Sequence, residues 1–311
     1  MDQYSASDQP RSKRRLTRAN LKRIWIGADG LRAGWAALLF WLIAAAMLAC
    51  VLFVIHHLHA HDHSPPVMTL RRMLIAECLM LVIGLSTTKI MSWIDGRSWL
   101  DYGLSSPRRL VFFVQGAVMG IVSLSILIAA LYGVHAIHIG QSTATFGSLV
   151  KGGVLWAGLF ALVGINEEVM FRGYAFFRLF RGTRPWIAGL ASALVFAAAH
   201  SGNAGETVVG VTSIIGAGLL LCLFVWRTQS LWWAIGFHAA WDWSQSFVFG
   251  VDDSGIGSSM HWLNSQASGP VWLSGGTVGP EGSLLVLPLM LVVALVFMRF
   301  VPARPVSTAR N

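Results

Sequence analysis

The sequence predicts an all-α protein, a polytopic membrane bundle of about eight transmembrane helices around a polar intramembrane cavity, on three observations. Of its 311 residues 55% are hydrophobic and only 12% charged, where a soluble domain carries roughly a quarter. The apolar residues come in blocks near the ~20 residues that cross a bilayer as a helix. A few ionisable residues nonetheless sit inside those blocks, where each needs a partner or a water-filled space. A soluble enzyme is excluded. The net charge of +9 would suit nucleic acid, but the basic residues lie at the ends of apolar blocks, which is the pattern of membrane topology.

Read in order, the spans fall at 34–55, 70–91, 110–133, 152–175, 186–200, 206–226, 231–249 and 281–301. They make one transmembrane domain over 34–301, preceded by a basic, disordered tail (1–33) and followed by a short tail (302–311). The first block exceeds a signal-peptide core and has no cleavage site, so it reads as a retained span. With the N-terminus inside, eight Lys or Arg of the N-terminal region and twelve of the inner segments oppose only Arg71, Arg72 and Lys151 outside. That asymmetry places both termini in the cytoplasm. The fifth span reaches only about 22 Å at 1.5 Å per residue, so it begins below the bilayer or ends inside it. Residues 250–283 are rich in Gly and Ser, hold Asp252, Asp253 and Glu281, and lack Lys and Arg. They read as an outer loop, flexible or partly re-entrant. Cys50, Cys78 and Cys222 lie in apolar runs without a pairing pattern, so no disulfide framework is expected.

Four places hold ionisable groups that a membrane disfavours: Glu77 in span two, Glu167, Glu168 and Arg172 in span four, His200 ending span five, and His238 with Asp242 in span seven. Glu168 and Arg172, at i and i+4, share a helix face and predict an ion pair that neutralises a buried carboxylate. Glu167 is turned about 100° away and has no cation at i+3 or i+4, which leaves it free for chemistry. His238 and Asp242, again i and i+4, suit metal ligation or the holding of one histidine tautomer. A lone His200 would read as a packed core histidine; three motifs together reverse that. A glutamate, two histidines and an aspartate supply a base for water and groups to fix it. No Gly-x-Ser-x-Gly or His-Glu-x-x-His motif offers a serine nucleophile or a soluble zinc-protease helix.

The ordered set Glu167-Glu168-x-x-x-Arg172, Phe196-x-x-x-His200 and His238-x-x-x-Asp242, over residues 150–249, resembles the three motifs of the CAAX protease and bacteriocin-processing (CPBP, or Abi) family. That group of intramembrane endopeptidases includes the eukaryotic Ras-converting CAAX endopeptidase. The resemblance implies hydrolysis of a peptide bond near a substrate C-terminus or membrane segment. Carried over by position, Glu167 would activate water and His200 would help hold it. His238 and Asp242 would bind metal or stabilise the oxyanion, with Glu168 and Arg172 in support. The enzyme would be metallo- or glutamate-dependent. If metal-dependent, Glu167, His200, His238 and Asp242 would be the ligands of a divalent ion such as zinc. The family's third motif accepts Asn or Asp; an ionised Asp242 cannot donate to an oxyanion, which favours a metal ligand or a His238 orienter. The partners implied are a membrane-associated peptide or protein substrate and the bilayer; the placement of the basic residues argues against nucleic acid, and a compact chain without eukaryotic sorting signals reads as belonging to a prokaryotic inner or plasma membrane.

One difficulty is depth. Counted from the inner ends, Glu167 lies ~12 Å, His238 ~10 Å and His200 ~22 Å into their helices, so span five must start low for the site to assemble. Outside the motifs, His56, His57, His59, His61 and His63 form an outer cluster that is either a second metal site or a solvated loop. Glu77 is expected to pair with a neighbouring helix, and Asn203 and Glu206 to cap the next one in preference to bordering the cavity. The rival functions are a cation- or proton-coupled transporter and a non-catalytic scaffold; the chain shows no internal repeat of the kind transporters carry.

Overall fold

The computed structural model describes residues 25–27, 30–58, 69–203, 205–254 and 260–304. The chain is an all-α membrane bundle with only small sheets. Each apolar block becomes a helix: α1 (Ala33–Leu58), α2 (Leu70–Ile94), α3 (Arg109–Gly133), α4 (Phe146–Arg172) with α5 (Tyr174–Gly182), α6 (Pro185–His200), α7 (Val208–Thr228), α8 (Trp232–Trp243) and α10 (Val286–Phe300). A π-helical turn, Ser244–Phe249, extends α8, and α9 is the single turn Val271–Ser274. Among the described residues five segments are long and apolar enough to cross a membrane, namely Ala33–His57, Leu70–Ile94, Arg109–Gly133, Phe146–Gly182 and Val208–Thr228.

Local chemistry sets the starts. Thr69, Thr145 and Thr207 each accept a backbone N–H from the first turn of α2, α4 and α7, filling donors that a helix leaves open. Pro185 opens α6, where its missing N–H costs nothing. The outward faces are apolar: Val114, Val118, Val122 and Ile126 of α3 are all exposed, as befits a surface solvated by lipid. On the inward face Gly116 and Gly120 bring α3 onto α8. A Cβ at either would strike the Trp233 or Phe237 carbonyl, so the small-xxx-small spacing here fixes the α3–α8 approach.

Span four departs from expectation. It runs past residue 175, because α4 breaks at Gly173, where a Cβ would collide with the Val169 carbonyl, and α5 carries it to Gly182. α5 is almost wholly buried. Tyr174 stacks on Phe40 of α1 at 5.4 Å, while Asp95 at the end of α2 accepts from Tyr102 and Tyr174, both at 2.9 Å, and pairs with Arg178 at 3.2 Å. For Glu167 and His200 this removes the difference in depth. Glu167 stands fifteen residues from Gly182, as His200 stands fifteen from Pro185, so both lie about 22 Å from those ends of their spans.

The segment 250–283 is folded where it is described, rather than loose. β4 (Leu263–Ala267) pairs antiparallel with β3 (Ile137–Gln141), from Ile137 opposite Ala267 to Gln141 opposite Leu263. A two-residue ladder, β1 (Ile26–Gly27) with β2 (Gly30–Leu31), precedes α1. His56 and His57 are exposed at the end of α1; His59, His61 and His63, and most of the basic tail, lie outside the described residues.

Candidate active site

Three helices bring the motif residues to one point. Glu167 Oε2 lies 3.7 Å from His200 Nε2 and 3.6 Å from His238 Nε2. Asp242 Oδ2 lies 3.5 Å from the same His238 Nε2. α4 supplies the glutamate, α6 ends on His200, and α8 carries His238 and Asp242 one turn apart. Ser192 of α6 donates to the Phe171 carbonyl at 2.7 Å, which ties α6 to α4 at this level.

The opposite ring nitrogens decide what faces inward. His200 Nδ1 lies 2.9 Å from the Phe196 carbonyl, which can only accept, so Nδ1 carries the hydrogen. His238 Nδ1 lies 3.0 Å from Glu168 Oε1, which orients it in the same way. In its neutral form each ring offers an Nε2 lone pair toward Glu167 Oε2, a buried oxygen without a hydrogen-bond partner among the described residues. A carboxylate or carbonyl behind a histidine is how such rings are aimed at a water or a metal.

Glu168 does more than neutralise Arg172. The expected ion pair is present, with Arg172 Nη1 3.0 Å from Glu168 Oε1 and both side chains fully buried, yet the same oxygen also holds His238. Arg172 further places its guanidinium 4.1 Å over the Phe196 ring, a cation–π contact that fixes the residue whose carbonyl aims His200. The orienter of His238 is thus Glu168, not Asp242, which sits on the Nε2 side with Glu167.

A cavity of about 270 Å³ opens on these groups. Its walls include Trp156, Phe160, Ile214, Leu220, Trp241 and Met290, together with Glu77, Asn203, Ser246, Asp253, Ser254 and Glu281. The last three were not singled out by sequence reasoning as cavity residues; for Asp253 and Glu281 the signal was present, as acids in a loop free of Lys and Arg. Ser246 in the π turn donates to Asp253 at 3.3 Å, and Ser254 donates to Glu281 through N and Oγ at 2.7 and 3.0 Å. Burial pushes the carboxyls of Asp253 and Glu281 above the ordinary range, and for Asp253 the neighbouring Asp242 and Glu281 add to it. Glu77 finds the partner expected on a neighbouring helix, since Asn166 Nδ2 donates to its Oε2 at 2.9 Å. Of the expected caps, Thr207 and not Asn203 or Glu206 caps α7, although Glu206 Oε1 accepts from Thr207 N at 3.1 Å.

Two imidazole nitrogens and two carboxylates are the donor types that hold a divalent ion such as zinc. The donor chemistry fits. In their present spacing, no group of three or more His, Cys, Asp or Glu among the described residues forms a ligand set that could hold a metal ion.

Residues 149–244 match the family model of type II CAAX prenyl endopeptidase Rce1-like proteins. No curated protein and no solved structure matches the chain. The matched segment runs from the start of α4 to the end of α8 and contains every motif residue of the cluster, while α1 to α3 and α10 lie outside it. Residues 149–244 of this integral membrane protein are thus similar to the Rce1-like type II CAAX prenyl endopeptidases.

Proposed function

We propose that the protein is an intramembrane endopeptidase that hydrolyses a peptide bond near a substrate C-terminus or membrane segment with water activated by Glu167. The observation that carries this reading is the convergence of Glu167 Oε2 with His200 Nε2 and His238 Nε2 at 3.6–3.7 Å on a cavity inside the bundle. A water that donates one hydrogen to an Nε2 lone pair has its other hydrogen directed at Glu167. The carboxylate takes that proton, the hydroxyl oxygen attacks the substrate carbonyl carbon, and the C–N bond breaks as Glu167 returns the proton to the departing nitrogen. His200 and His238 hold the water, each fixed from behind, and Asp242 borders the same point. The apolar part of the walls, Trp156, Phe160, Ile214, Leu220, Trp241 and Met290, lowers the local polarity and strengthens each of these contacts. A divalent ion held by His200, His238, Asp242 and Glu167 would supply Lewis-acid activation of water.

The substrate in this reading is a membrane-associated peptide or protein tail, and the setting is a prokaryotic inner or plasma membrane. The test is cleavage of a C-terminal and juxtamembrane peptide library by purified protein in detergent, wild type against Glu167→Gln, with chelator and with zinc restored. Loss in the variant with zinc-restorable activity marks the metal-assisted form. Loss in the variant with indifference to chelator marks glutamate-activated water alone. Equal cleavage by wild type and Glu167→Gln, or none by either, contradicts the proposal and leaves the scaffold or transporter reading.

A further inference from the structure

The hydrolytic scheme leaves Glu77 without a role, and Glu77 lies on α2, outside the matched residues 149–244. Its side chain nevertheless lines the same cavity as Glu167 and His238. Around it the wall is Met73 from α2 and Trp156, Phe160 and Val163 from α4, so a carboxylate is set into an otherwise apolar face. Asn166 Nδ2 clamps Glu77 Oε2, and Asn166, only 4% exposed, directly precedes Glu167 in the chain. A polar link between α2 and α4 is the simplest account of the pair. A neutral glutamine would make the same link without placing a charge-bearing group in the membrane, so the link does not explain the carboxylate.

The position of Glu77 supplies the missing reason. α2 packs mainly on α4 and α1, and α6 and α8, which carry the histidines, also pack on α4; Glu77 reaches the cavity from α2, and its partner Asn166 directly precedes Glu167. A trans peptide points its C=O and N–H in opposite directions. A scissile peptide whose carbonyl carbon meets the water at Glu167 therefore turns its N–H away from its carbonyl oxygen, toward an acceptor on the cavity wall, and Glu77 is the carboxyl group that α2 sets into that wall. In a cavity shielded from water that N–H needs such an acceptor. We propose that Glu77 is a substrate-binding residue that accepts the N–H on the nitrogen side of the scissile bond and then pairs with the amine product. This rests on the hydrolytic reading above. The balance is simple: water adds its hydroxyl to carbon and, through Glu167, its hydrogen to nitrogen. The proton of the new carboxyl then passes to the amine, leaving a carboxylate and an ammonium, the latter held by Glu77.

The test uses the full chain in lipid nanodiscs and a peptide that the library shows to be cleaved, in two forms: the natural amide and the analogue with an ester at the scissile bond. The ester has no N–H and releases an alcohol, so it cannot use Glu77 as proposed. Glu77→Gln is expected to lower kcat/KM for the amide by about tenfold or more, the loss of a charge-assisted hydrogen bond, while leaving the ester within about twofold. Glu77→Asp is expected to recover part of the amide activity. Amide and ester falling together would show a structural role through Asn166, and an unchanged amide would show no role; either overturns the proposal while leaving Glu167 hydrolysis intact. Failure of the wild type to cleave any peptide, or full activity in Glu167→Gln, overturns the hydrolytic reading and this proposal with it.

Discussion

Glu168 uses one buried oxygen for two partners, Arg172 Nη1 and His238 Nδ1, each at 3.0 Å. Glu168→Ala would strand a fully buried guanidinium and release the ring it aims. A loss of about 3–5 kcal/mol is expected from breaking such a buried pair, read as a lowered unfolding midpoint in detergent, together with loss of cleavage. Glu168→Gln keeps an acceptor oxygen and should fall between the two. Glu167→Gln, by contrast, removes no hydrogen bond found in this structure, so its unfolding midpoint should stay near wild type while hydrolysis drops by about 10²–10⁴, the usual contribution of a general base. Helical spacing made the Glu168–Arg172 pair and the free face of Glu167 legible in the sequence. It could not show that Glu168 also orients His238, because that partner lies seventy residues away and only the packing of α4 on α8 brings it near. The i, i+4 spacing of His238 and Asp242 pointed to the wrong orienter for the same reason.

At the scale of elements, the α3–α8 contact governs where His238 and Asp242 stand. Gly120→Leu would drive a side chain into the Phe237 carbonyl next to His238. It is expected to destabilise the fold by about 1–3 kcal/mol or more and to reduce cleavage. Val118→Leu, facing lipid on the same helix, should change stability by no more than about 0.5 kcal/mol. A comparison of the two variants by unfolding midpoint and activity checks this; equal effects would contradict the packing account. The helices themselves were largely readable, since apolar block length fixes them, with ends displaced by a few residues. The α4–α5 junction was not. Its cause is the Val169 carbonyl passing close to Gly173, a contact that hydropathy does not record, and missing it put Glu167 too close to the inner surface. The π turn after α8, which points Ser246 at Asp253, was equally invisible, because it depends on the outer segment folding back onto the bundle.

Across the whole molecule, the excess of Lys and Arg in the segments assigned to one side predicts that the α2–α3 connection is cytoplasmic and β4 is external. With the native cysteines replaced, Gln266→Cys should react with an impermeant maleimide in intact cells and Ser105→Cys only after permeabilisation; both positions are exposed, and the reverse pattern would invert the topology. The assembled site also sets a limit on what a linear reading could reach: the motif residues were visible one helix at a time, whereas Asp253 and Glu281 join the cavity only because the described parts of 250–283 pack against it. The central claim is that Glu167, His200 and His238 act on a single water. Its most direct measurement is the cleavage rate of one peptide by Glu167→Gln, His200→Ala, His238→Ala and their combinations in the same nanodiscs. Groups acting as one unit give combined losses no greater than the largest single loss, and that is the result expected here. Losses that multiply from one substitution to the next, or a Glu167→Gln protein that turns over at the wild-type rate, would contradict it.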